Sequence, residues 1–143
     1  MKKILIVLCV MCFGLMAGCG DDKSADTPLE PMEGIDVDLS AMNELLAYTE
    51  SCNLVVAPKN YEGKMVRVTG EFHVEGVSEP YAFACHLADG TGCCSQEIMF
   101  ELNEDYTYPD DCPKKGSTIT VVGEVGIAQD GKTGILKNAV IIE

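Results

Sequence analysis

The sequence predicts a small, mainly β barrel preceded by one amphipathic helix. Five stretches of strand length alternate apolar and polar residues, turn-forming Gly, Pro, Asn and Asp separate them, and glycines fall inside two of the strands. With 143 residues, the chain has room for one ordinary core once any targeting segment is removed.

The N-terminus reads "MKKILIVLCVMCFGLMAGCGDDKSADTP". Lys2 and Lys3 precede an apolar run from Ile4 to Met16, and small residues lead to Cys19. This is the pattern of a bacterial export signal, and the run is shorter than the roughly 20 apolar residues of a membrane-spanning helix. "LMAGC" resembles the lipobox of bacterial lipoproteins. That resemblance implies removal of residues 1–18, a diacylglycerol on the Cys19 thiol, and a protein held on the extracytoplasmic side of a cell membrane by two or three acyl chains. Residues 19–37 then form the lipidated cysteine and a flexible acidic tether, because "GDDKSADTPLEPMEGIDV" has too few large apolar groups to bury a core.

A domain over 38–143 follows. Leu39, Met42, Leu45, Leu46 and Thr49 fall near helical spacing, which predicts a helix over about 39–51, with Asp38 or Ser40 as its cap. Pro58, Asn60 and Gly63 mark a turn before a strand over 65–74. There Val66, Val68, Phe72 and Val74 share one face, and Arg67, Thr69, Glu71 and His73 share the other. Residues 81–88 place Tyr81, Phe83, Cys85 and Leu87 together. "DGTG" then turns the chain into 97–102, with Ile98, Phe100 and Leu102 inward. A final pair spans 118–128 and 134–142 around "QDGKTG". One helix and five short strands, with Gly70 and Gly123 available for bends, fit a five-stranded OB-like barrel. The connection 103–117 lacks helical periodicity, so the helix stands before the barrel.

"YEGKMVRVTGEF", "YAFACHLADGTGCCSQEIMFEL", "GSTITVVGEV" and "GILKNAVII" resemble segments of small exported bacterial OB-fold proteins, many of them lipoproteins of unknown function. The resemblance covers about residues 45–142. It implies an extracytoplasmic binding or accessory module and carries over no catalytic residue. On such a barrel the ligand face lies over the first three strands, where Arg67, His73 and Met99 are the exposed candidates.

Charge bounds the partners. Lys2 and Lys3 leave with the signal, so eight basic residues face 23 acidic ones. Nucleic-acid binding rests mainly on phosphate neutralisation, so this balance predicts no nucleic-acid partner and favours a protein partner with a basic surface, beside the membrane reached through the lipid.

Of eight cysteines, Cys9 and Cys12 leave with the signal and Cys19 takes the lipid; Cys52, Cys85, Cys93, Cys94 and Cys112 remain. If "DGTG" is centred near 90–91, Cys94 lies opposite about Leu87 and the hairpin thiols approach diagonally. Cys85, Cys93 and Cys94, with Cys112 as fourth ligand, are then candidates for a thiolate site holding zinc or copper. His86 is a poorer fourth ligand, because adjacent strand residues point to opposite faces. The same sulfurs also suit disulfides in an oxidising compartment, with Cys52 and Cys112 as one pair. Catalytic patterns are lacking: "GTGCCS" is not a nucleophile elbow and "DGTG" precedes no phosphate-binding helix. "EDYTYPDD", residues 104–111, gathers four carboxylates without EF-hand spacing. The sequence therefore predicts a non-enzymatic, lipid-anchored binding or accessory module, with a thiolate metal-binding protein as the alternative.

Overall fold

The computed structural model describes residues 30–142. The export signal, Cys19 and the first part of the expected tether lie outside the described residues. The elements are β1 (Val37–Asp38), α1 (Glu44–Val56), β2 (Met65–Glu75), β3 (Ala82–Ala88), β4 (Ser95–Leu102), β5 (Thr118–Ile127) and β6 (Gly134–Ile142).

Strands β2 to β6 close on themselves in the order β2-β3-β4-β6-β5, with β5 returning to β2. All pairs are antiparallel except β4 with β6. This is the predicted five-stranded OB-like barrel, closed and mixed. Closure depends on β2 serving two neighbours. Met65–Glu71 pairs with β5, and Glu71–Glu75 pairs with β3. Gly70 sits at this change of partner, where an added Cβ would lie 2.3 Å from the His86 carbonyl oxygen and 2.8 Å from Cys85 Sγ. Only a glycine lets the two backbones approach this closely. Gly123 plays the corresponding part in β5, where the register with β6 shifts between Val122 and Glu124.

The alternation predicted for β2 through β4 is observed. Val66, Val68, Phe72, Val74, Cys85, Leu87, Ile98 and Phe100 are buried, and Val121, Val125, Leu136 and Ala139 complete the core. Phe72, Phe83 and Phe100 stack with ring centroids 5.9 to 6.2 Å apart. Burying such rings contributes about 1.5–3 kcal/mol each.

Helix α1 departs from the expected 39–51. It starts after Asn43, whose Oδ1 accepts from the Leu46 amide at 3.0 Å. Neither expected cap was free to act: Asp38 is bonded to Arg67, and Ser40 Oγ accepts from Thr69 Oγ1. Residues 39–41 instead make a single 3₁₀ turn that buries Leu39. The inward helix face also differs. Ala47, Ser51 and Leu54 are buried, while Leu45 and Leu46 are 64% and 50% exposed. Small residues on the inner face let α1 pack closely, and an added Cβ on Gly134 would sit 2.3 Å from the Leu54 carbonyl oxygen. The helix thereby closes the barrel end where β4 and β6 begin.

The expected tether to residue 37 is also corrected. Residues 36–38 belong to the barrel, with β1 pairing in parallel with Val66 and Arg67 of β2 and the Asp36 amide donating to the Met65 carbonyl. The 103–117 connection has no helix, as expected. It is fastened through Tyr106, whose hydroxyl donates to the Ile141 carbonyl at 2.9 Å and accepts from the Ile141 amide at 3.1 Å.

Candidate functional site

Three neighbouring strands set out the outer face of β2–β4 in rows. Glu71, His86 and Glu97 face one another in register, and His73, Ala84 and Met99 make the next row. Side chains two apart on a strand share a face, so both rows point outward together. Ala84 is small and buried, which leaves His73, His86 and Met99 standing around a low floor.

The two imidazoles stack over this floor with centroids 3.6 Å apart and planes 9° from parallel. A carboxylate holds each ring. His73 Nε2 is 2.8 Å from Glu71 Oε1, and His86 Nε2 is hydrogen-bonded to Glu97 Oε1. One ligand atom from each of His73, His86 and Glu97 lies within 4.8 Å of the others; among the described residues this is the one such group of three or more His, Cys, Asp or Glu side chains. The side chains are partly open to solvent, at 29% for His73, 22% for His86 and 49% for Glu97.

Of the residues predicted for the ligand face, His73 and the exposed Met99 occupy it. Arg67 does not. It is 2% exposed, with Nε and Nη2 on the Asp38 carboxylate and Nη1 donating to the Glu30 carbonyl at 2.9 Å. The hydrogen bonds to Asp38 raise its pKa against the opposing effect of burial. Arg67 fastens residues 30–38 to the barrel and is unavailable to a ligand. His86 and Glu97 were absent from the predicted ligand face. Their signal was cross-strand: two outward positions become neighbours only once the hairpin register is known.

The hairpin register differs from the expected one. Leu87 faces Gln96, Ala88 faces Ser95, and Cys94 lies in the turn, its carbonyl accepting from the Asp89 amide. The structure consequently disperses the thiols. Cys85 is fully buried under Gly70, and burial pushes its pKa up to about 12, which disfavours the thiolate a metal needs. Cys93 and Cys94 are exposed in the turn. Cys112 packs against the core beside Tyr106 and Ile141, with its pKa raised by burial first and by Asp111 second. Cys52, on α1, donates to Gln96 Oε1 at 3.4 Å. All five thiols are free, and Cys52 and Cys112 lie in different surroundings.

A second feature escaped the sequence reading. Glu79, Pro80, Tyr81, Phe83, Leu102, Tyr106 and Tyr108 line an open cleft of about 660 Å³ at the barrel end away from α1. The Tyr108 ring centroid lies 4.7 Å from that of Tyr81 and 5.6 Å from that of Phe83, tilted or edge-on, so the loop that gathers four carboxylates also lines this end with aromatic rings. Its carboxylates serve turns, as where Asp111 Oδ2 accepts from the Thr107 amide.

No family model matches the chain, and no curated protein matches it. Among solved structures, a "putative nucleic acid-binding lipoprotein" from Klebsiella pneumoniae subsp. pneumoniae is similar over 79% of this chain and 99% of that chain, at 22% identity and a TM-score of 0.49. That chain's description as "putative nucleic acid-binding" conflicts with the expectation of no nucleic-acid partner, and the expectation is withdrawn. The exclusion rested on net charge, which is a sum over the whole molecule. Binding is decided by the local potential of one face.

Proposed function

We propose that this protein is a lipid-anchored, extracytoplasmic accessory module that holds a cationic group of its partner on the outer face of β2–β4 and has no catalytic activity of its own. One observation carries the reading. That face exposes Glu71, Glu75, Glu97 and Glu101, its two histidines, His73 and His86, each sit against one of these carboxylates, and the three strands' one Lys or Arg, Arg67, is buried and paired. Carboxylates gathered on one sheet face attract the opposite sign of charge. Cys19 in "LMAGC" supports the anchor.

A photoreactive side chain placed at Met99 should cross-link a discrete partner in intact cells, and the same group at Lys132, in the β5–β6 turn, should not. Glu75→Lys with Glu101→Lys should abolish the Met99 product. Equal labelling from both positions, or a product indifferent to the charge reversal, would discard the reading. Cys19→Ser should move the protein from the membrane to the soluble fraction; retention in the membrane would remove the anchor from the proposal.

A further inference from the structure

We propose that His73, His86 and Glu97 form a site for a divalent late-transition-metal ion, zinc first among them, with Glu71 at its edge. The proposal rests on the reading of the β2–β4 outer face as the ligand face and names what that face takes.

The donors decide the class of ion. Two imidazole nitrogens and a carboxylate suit zinc, copper or nickel, whereas calcium and magnesium want oxygen throughout. Two His and one Glu also leave a fourth position open, which an exposed site fills with water or with a donor from a partner.

Geometry supports the choice. Tetrahedral ligands at about 2.0–2.1 Å from zinc stand about 3.3–3.4 Å apart. The three ligand atoms already lie within 4.8 Å of one another. Binding one ion also requires the parallel rings to turn out of their stack so that each points a nitrogen at it, a side-chain rotation that partly exposed residues permit while the ladder of β2, β3 and β4 fixes the Cα positions. Glu71 holds the His73 ring at 2.8 Å, the orienting contact that metal-bound imidazoles commonly have.

Electrostatics points the same way. The two rings stand 3.6 Å apart with the Glu71 and Glu97 carboxylates beside them, and that concentration of negative charge and lone pairs attracts a cation. A single divalent ion bound by both imidazoles and a carboxylate answers that charge. The dispersed thiols offer no comparable set.

The test is calorimetric titration of the full-length, metal-stripped protein with Zn²⁺. One ion per chain is expected. His73→Gln with His86→Gln should weaken binding at least about tenfold, while Cys93→Ser with Cys94→Ser leaves it unchanged. An unchanged urea midpoint in the histidine variant certifies its fold, since both side chains stand on the outer face. No binding, binding that survives the histidine variant, or binding lost with the cysteines overturns the site. A failed titration with an intact Met99 cross-link sinks the metal alone. A lost cross-link with intact zinc binding sinks the partner reading alone.

Discussion

At Gly70 the barrel tolerates no side chain. An added methyl would meet the His86 carbonyl oxygen at 2.3 Å, and that atom belongs to a paired strand and cannot step aside. Gly70→Ala should therefore cost about 1–3 kcal/mol, read as a lowered urea midpoint. A midpoint within error of the parent would mean that β2 and β3 separate more freely than the close approach implies. Gly70 was legible as a bend because glycine in a strand has few other uses. Arg67 was misread for an equally physical reason. Alternation assigns a side chain to a side of the sheet but says nothing of what covers that side, and here residues 30–38 cover it. The same limit hid the pairing of His86 with Glu97, two outward residues whose meeting depends on a register that the turn sets two residues away from the expected one.

Among the elements, β1 is short enough to need its clamp. Two residues pair with β2, and the bidentate contact between Asp38 and the buried Arg67 holds them there. Asp38→Ala leaves a buried guanidinium without its counter-charge and should destabilise the protein by about 3 kcal/mol. Arg67→Met combined with Asp38→Leu removes both charges and should recover most of that loss in urea unfolding. A double variant as unstable as Asp38→Ala would show that packing, and not the orphaned charge, sets the cost. The five barrel strands were legible within two residues, because each is half-buried and bounded by turn residues. The helix was legible as an element but not in its phase. Leu45 and Leu46 carry the apolar signal, whereas the face that packs is made by Ala47, Ser51 and Leu54, chosen for closeness of approach.

Across the whole molecule, stability depends on how α1 is held to the barrel. Tyr61, in the turn between α1 and β2, is buried and donates to Glu50 Oε1 of α1 at 2.6 Å. Burial first and the Glu50 contact second push its pKa up to about 12 from 10.0. Below about pH 10 the phenol keeps its proton in both folded and unfolded chains, and its contribution is fully present. Between about 10 and about 12 the unfolded chain loses the proton first, so stability falls as pH rises and the contribution is gone above the folded value. Tyr61→Phe gives up the hydrogen bond and should be less stable at pH 8 by about 1 kcal/mol. It also gives up this titration, so the parent's advantage should shrink above pH 10 and reverse before pH 12, because raising the pKa from 10.0 to about 12 outweighs about 1 kcal/mol. Urea unfolding of both proteins at unit pH intervals measures it. A difference that stays constant over that range would mean that the hydroxyl is not held against ionisation, and that α1 is fixed to the barrel by the close packing of Leu54 against Gly134 instead.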